Sequence, residues 1–285
     1  MAFVLWIRTY IKGKTFYNKQ YWKFSLALSI PLIGNSIATQ VLSVSDRTMI
    51  GKMVGNSEVG IYSTLYTVSS LSLIIWQAIN SSFIPYLYDN FEKKEKRNEI
   101  KTLATKLLAA FSVVAFLLTM MAPEIVRILA TKEYYGAIYI MPPIAAGVFL
   151  TSVSNMYSNV LIYHKKTNYI MISSIIAAVV NLVLNYFGIK MFGYLAAAYT
   201  TLIAYIILGM MQGIVSGRVH RKITGDKTDS VYDTKMILGL SVVTIICCVA
   251  CLGLYKTTIL RYAILGVLCI IVCLKRKQII KIFNK

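Results

Sequence analysis

Apolar residues run in blocks of about 16 to 28 along nearly the whole chain, and short clusters of charge separate the blocks. A helix of roughly 20 apolar residues crosses the ~30 Å hydrocarbon core of a bilayer. The blocks predict eight helices, over 24–44, 60–86, 102–122, 137–163, 169–189, 193–217, 236–255 and 259–274. The expected fold class is therefore an all-α polytopic membrane protein. It divides into a segment 1–23, six helices over 24–217, a connection 218–235, two further helices within 236–274 and a basic tail over 275–285.

Composition agrees: of 285 residues 57% are hydrophobic and only 14% charged, against roughly 25% charged in a soluble domain. The net charge of +19 would suggest nucleic acid in a soluble chain, so its placement matters. Counted along the chain, 22 Lys and Arg fall in alternate segments, namely the N-terminus, 87–101, 164–168, 218–235 and the C-terminus, and seven fall in the segments between. By the positive-inside rule both termini are expected in the cytoplasm and the protein in the cell membrane. The charge is then topology with anionic lipid as its counterpart, and no nucleic-acid partner is expected.

In the first 23 residues Phe3, Trp6, Ile7, Tyr10 and Ile11 alternate with Arg8, Lys12 and Lys14. That reads either as an amphipathic interfacial helix or as the remnant of a preceding membrane helix. The stretch is too short for the core of a cleavable signal. All five cysteines (Cys247, Cys248, Cys251, Cys269, Cys273) lie in the last two apolar blocks. There the Cys248/Cys251 pair lacks the electropositive setting of a reactive pair and the flanking ligands of a zinc site, so packing is expected. His164 and His220 fall in basic connections and read as solvated loop residues, and the mixed-charge runs 89–101 and 218–235 each read as a solvated helix extension rather than a docking site. There is no phosphate loop, zinc-protease motif or nucleophile elbow, and the external connections are short. No enzyme, cofactor or metal is expected.

The informative residues are polar ones inside helices, because Asp or Arg at the bilayer centre costs about 2.5–3.5 kcal/mol on insertion scales. In the first helix Ser36, Gln40, Ser43 and Arg47 share one stripe, and Asn35, Thr39 and Asp46 lie on the adjoining one. Asp46 and Arg47 point about 100° apart, so each needs its own partner or water. The second helix clusters Tyr62, Tyr66, Ser69, Gln77 and Asn80 on one side, with Pro85 near its end. Two polar-striped helices in succession suggest a hydrated cavity. The competing reading is that Asp46 and Arg47 mark the point where the helix reaches the headgroups. Asn181 and Asn185, at i and i+4, either line the same space or hydrogen-bond between helices. Gly209, Gly213 and Gly217 form a ridge of small residues suited to helix packing.

Four motifs in order resemble one family. They are Ser29-Ile-Pro-Leu-Ile33 with Ser45-Asp-Arg-Thr-Met-Ile-Gly51, Val59-Gly-Ile-Tyr62, Ala122-Pro-Glu-Ile-Val-Arg-Ile-Leu129 followed by Tyr135 and Ala137, and Asn181-Leu-Val-Leu-Asn185 followed by Gly193-Tyr-Leu-Ala-Ala-Ala-Tyr-Thr200. Over roughly 20–220 they are similar to the second lobe of the polysaccharide flippases of the multidrug/oligosaccharidyl-lipid/polysaccharide exporter superfamily. The resemblance implies export of a polyprenyl-diphosphate-linked oligosaccharide across the membrane by alternating access, for cell-surface polysaccharide such as capsule or O-antigen. It assigns Arg47 to the anionic headgroup and Asp46 to an ion-coupling or orienting role. The cavity set is then Arg47, Asp46, Gln40, Asn35, Ser43, Tyr66, Gln77, Asn80, Asn181 and Asn185.

The family has two six-helix lobes, and here the second is followed by two further helices. Met1 falls where the linker between lobes is expected, which points to a missing first lobe or a second copy as partner. The Pro usual after the Asn-rich helix is absent from 187–192. A drug or cation antiporter of the same superfamily, an inactive half-transporter and a membrane-embedded glycan polymerase are the alternatives. The first would favour carboxylates and aromatics over Arg, and the last would need a large external loop.

Overall fold

The computed structural model describes residues 2–13, 17–129 and 131–267, and every regular element among them is a helix. The N-terminal segment forms α1 (Ala2–Gly13), which exposes Val4, Leu5, Trp6, Ile7 and Tyr10 along with Arg8 and Lys12. α2 (Lys19–Met53) starts at Asn18, whose side chain accepts from the amides of Gln20 and Tyr21 at 3.0 and 3.3 Å and so satisfies two orphan donors of the first turn. Its 35 residues extend over roughly 52 Å, well beyond the hydrocarbon thickness. Asp46 and Arg47 therefore sit inside a continuous helix.

The expected second helix is delivered as two pieces in one span, α3 (Asn56–Ser70) and α4 (Ser72–Asp89). The hydroxyls of Ser69, Ser70 and Ser72 bond back to the carbonyls of Leu65, Thr67 and Ser69 at 2.8, 2.9 and 3.3 Å. Such back-bonds compete with the helical ladder, which interrupts at Leu71. α5 (Arg97–Met120) and the short α6 (Ala122–Leu129) lead to a 3₁₀ stretch, Lys132–Ile140. α7 (Met141–Tyr163) then opens on Pro142 and Pro143, which lack the N–H that a first turn leaves unpaired anyway. α8 (Thr167–Phe192) stops without a proline: Gly193, at φ 76°, ends it in a backbone conformation that suits glycine. α9 (Ala196–Thr224) ends the same way at Gly225. α10 (Thr234–Leu254) and α11 (Thr258–Val267) follow.

Among the described residues seven helical stretches are long and apolar enough to cross a membrane, which makes the chain an all-α polytopic membrane protein. The eighth expected helix, 259–274, lies partly outside the described residues, as do Cys269, Cys273 and the basic tail. Cys247, Cys248 and Cys251 are free thiols packed in α10.

α7 is buried on nearly every side and forms the centre of the helical bundle, whereas α2 is buried along a narrow stripe. α9 packs on α7, α8 on α9, and α2 on α8. At the α7–α9 seam a Cβ on Gly147 would stand 2.9 Å from Tyr205 Cδ2, and one on Gly213 3.1 Å from Tyr157 Cε2. The small residues thus let two backbones approach where no hydrophobic force drives them together. Gly217, the third member of the ridge, meets only Arg221 of its own helix.

The connections 89–97, 164–166 and 225–229 converge on one side. Lys94 pairs with Asp226 at 3.7 Å, Arg97 Nε with Asp229 at 3.2 Å, His164 with His220 at 3.0 Å and His220 with Asp229 at 3.0 Å. This corrects the reading at particular residues, since His220 is 1% exposed and Arg97 7%, while 92–95 and 221–225 are exposed as expected. α9 does extend to Thr224, and the burial arises because the segment after it folds back so that Asp229 reaches Arg97 and His220. Burial, His220 and Arg97 together hold the His164 ring pKa down to about 4, so the ring is neutral at ordinary pH.

α10 lies against α5 and α7. Polar ties hold the α10–α11 arm at three depths: Asp229 to Arg97 beside its start, Thr244 to Ser112 at 2.6 Å midway, and buried Arg261 with Tyr262 to Glu124 past its end.

Candidate functional site

Asp46 is fully buried where α2, α3, α8 and α9 meet. A lone carboxylate at that depth would be expensive, and the fold supplies donors from each neighbouring helix. Tyr62 donates to Oδ2 at 2.7 Å, Thr201 to Oδ2 at 3.0 Å and Asn185 Nδ2 to Oδ1 at 2.8 Å. A second tier locks these donors. Asn181 Nδ2 donates to Thr201 Oγ1 at 2.9 Å, Asn181 Oδ1 accepts from Ser45 at 2.8 Å and from Asn185 at 3.2 Å, and Thr200 donates to Asn185 Oδ1. Asn181 and Asn185 thus do bond between helices, and their partners include Asp46 itself.

Arg47 points elsewhere, as the 100° offset requires. Its guanidinium stacks over the Tyr66 ring at 4.5 Å, and its buried Nε has no protein acceptor. Among the described residues it makes no ion pair. Tyr66 is itself buried, 6.1 Å from the Tyr62 ring, so the Asp46 cage and the Arg47 stack share a wall. The pair therefore sets a carboxylate satisfied by hydrogen-bond donors beside a guanidinium with no ion-pair partner among the described residues.

The other expected site residues are dispersed. Gln40 is exposed and, with Ser36, Val44, Ser45, Thr48 and Leu182, lines an open cavity of about 770 Å³ along α2. Ser43 donates to the Gln40 carbonyl of its own helix at 3.0 Å. Asn35 accepts from Ser174 of α8 at 2.6 Å. Asn80 accepts from Asn159 of α7 at 2.9 Å, and Gln77 is exposed on α4. The structure brings Asp46, Asn181 and Asn185 into one cluster, sets Arg47 and Tyr66 beside it, and leaves Gln40, Ser43, Asn35, Gln77 and Asn80 apart. Ser45, Tyr62, Thr200 and Thr201 complete the cluster. Tyr62 already stood on the polar side of its helix, and the adjacent threonines interrupting an apolar run were the available signal for the other wall.

Fold and cluster define a polytopic membrane protein with a buried, hydrogen-bonded carboxylate between its helices. Comparison with known proteins narrows the class. A family described as polysaccharide biosynthesis protein matches residues 1–91. The probable low-salt glycan biosynthesis flippase Agl15 of Haloferax volcanii is 24% identical over 208 residues, which are 70% of this chain and 43% of that protein. A solved multidrug-resistance transporter of the MATE family, of the MOP superfamily and in an outward-facing conformation, aligns over 82% of this chain and 53% of its own, with TM-score 0.52 and 16% identity. That likeness concerns the fold. The chain is thus similar in sequence to a polysaccharide biosynthesis family over its first 91 residues and to a probable glycan flippase over a longer stretch, and it spans about half the length of the proteins it matches.

Proposed function

We propose that the chain is one lobe of a flippase that carries a polyprenyl-diphosphate-linked oligosaccharide from the cytoplasmic to the outer leaflet by alternating access. The opposing wall comes from a first lobe or a second copy. The observation that carries this reading is Arg47. A guanidinium far along a membrane helix, stacked on Tyr66 and with a buried Nε lacking an acceptor, keeps hydrogen-bonding capacity free for a ligand, and its planar fork suits a diphosphate. The one carboxylate beside it is engaged by Tyr62, Thr201 and Asn185.

Asp46 is the coupling-ion site in this scheme. Its carboxylate, the Asn181 and Asn185 carbonyls and the Thr201 hydroxyl offer a hard cation or a proton several oxygens drawn from three helices. Occupancy then biases how α2 packs on α8 and α9, which is how an ion can select between two lobe geometries. The membrane is the cell membrane, and the side bearing Lys94, Lys165 and Lys227 faces the cytoplasm.

The test is complementation of a flippase-deficient strain with the lobe supplied together with a first lobe. Arg47→Ala should abolish surface glycan per copy of protein while expression stays near normal, and Arg47→Lys should restore part of it. The 285-residue chain alone, shown to be monomeric, should restore none. Near-normal transport by Arg47→Ala removes Arg47 from the site, and full activity of the lone monomer removes the two-lobe scheme.

A further inference from the structure

α10 lies against α7 but not along α9, so an apolar groove of about 500 Å³ opens between them, floored by Leu150, Val153 and Tyr157 of α7. Its walls run from Thr234 to Ile246 on α10 and include Met210 and Ile214 on α9. Met210, Ile214, Leu238, Val242 and Ile246 stand about half exposed along it. Twelve residues of α10 rise roughly 18 Å, close to the ~15 Å of one hydrocarbon leaflet.

The groove is asymmetric in charge. At its Thr234 end Arg218 and Arg221 follow Ile214 by four and seven residues, on the same stripe of α9, and Lys235 precedes Leu238 by three on α10. All three are exposed. Arg221 Nε bonds the Gly217 carbonyl of its own helix at 3.1 Å, which holds the guanidinium against α9. Just below, α9 and α10 enclose a cavity of about 20 Å³ that Gly217, His220, Tyr232 and Thr234 line, and the buried Tyr232 hydroxyl has no protein partner there. The opposite end, at Ile246, has no charge on either wall. The charged end is also where 89–97, 164–166 and 225–229 converge.

We infer that the groove between α9 and α10 is a binding site for one acyl chain of an anionic glycerophospholipid, whose phosphate is held by Arg218, Arg221 and Lys235. An apolar trough one leaflet deep, ending in cations at headgroup level, matches that chemistry in length and sign. A zwitterionic lipid would fill the trough without engaging the cations fully. The site lies across the lobe from Arg47 and does not depend on what the lobe transports.

Native mass spectrometry of the intact chain released from micelles containing phosphatidylglycerol or phosphatidylcholine reads the site directly. Retention of phosphatidylglycerol over phosphatidylcholine is expected, with affinity falling roughly fivefold for each of Arg218→Gln, Arg221→Gln and Lys235→Gln. Ile214→Trp, which fills the trough and leaves every cation in place, should also lose the lipid. Equal retention of the two lipids, or binding indifferent to the cation changes, overturns the proposal. So does dependence on the cations without dependence on the trough, which reduces the site to surface attraction. Displacement of phosphatidylglycerol by undecaprenyl phosphate at equal concentration overturns it as well, because the trough then belongs to a polyprenyl tail.

Discussion

Asp46 and Arg47 are neighbours in sequence with opposite fates in space, and the contrast sets what each substitution does. Asp46→Ala strands the Tyr62, Thr201 and Asn185 donors in a buried cluster, at about 1–3 kcal/mol for each. Asp46→Asn keeps the shape and one acceptor. Thermal unfolding in detergent should therefore show a large loss for Ala and a smaller one for Asn, and in a transport assay Asn should lose ion dependence while the protein still accumulates. His164 behaves differently. Its folded pKa, held down to about 4, lies below the unfolded value of roughly 6.5, so the unfolded chain binds the extra proton first. Stability is full above about pH 6.5 and falls as pH drops toward 4. His164→Asn should flatten part of that slope in melts taken from pH 7.5 to 4.5, and an unchanged slope would show that the ring does not titrate as its burial between His220 and Arg97 requires. The direction of each polar side chain was legible from helical periodicity alone, including the divergence of Asp46 from Arg47. The partners were not, because a 3.6-residue period says which way a side chain points and nothing about which helix stands opposite.

At the scale of elements, apolar blocks located every described span, but they mark only where lipid touches the helix. The backbone ladder continues past that point, which is why α2 runs on to Met53 and α9 to Thr224. The interruption at Leu71 was hidden because it falls among serines whose hydroxyls bond back to the backbone, with no Gly or Pro to announce it. The folding back of 225–233 was hidden too, since a mixed-charge run looks the same whether its charges meet water or one another. Packing between elements is tight at Gly147, where the rigid Tyr205 ring occupies the space a Cβ would need. Gly147→Ala should destabilise the α7–α9 seam by about 1–3 kcal/mol, read as a lower melting temperature in detergent. Gly239, with nothing within 4 Å of its Cβ position, is the control that should tolerate the same change.

Across the whole molecule, the alternation of basic segments and the contacts between connections are independent statements about sidedness. The ion pairs put the connections near Lys94, Lys165 and Lys227 on one face. Tyr255 meeting the Thr119 carbonyl at 2.9 Å, and Arg261 meeting Glu124, join connections on the other. Cysteine labelling in a background without native cysteines should find positions near Lys94, Lys165 and Lys227 on the cytoplasmic side and those near Ser57, Lys132 and Lys256 outside. Labelling of the Lys94 and Lys227 positions from opposite sides would contradict the fold itself.

The three ties along the α10–α11 arm, at Asp229, Thr244 and Arg261, have a mechanical consequence. A beam pinned at both ends and at its middle carries load without swinging. Any tilt of α5 is therefore passed on to the arm at three heights at once, so α5 and the α10–α11 arm shift as one rigid body rather than sliding past each other.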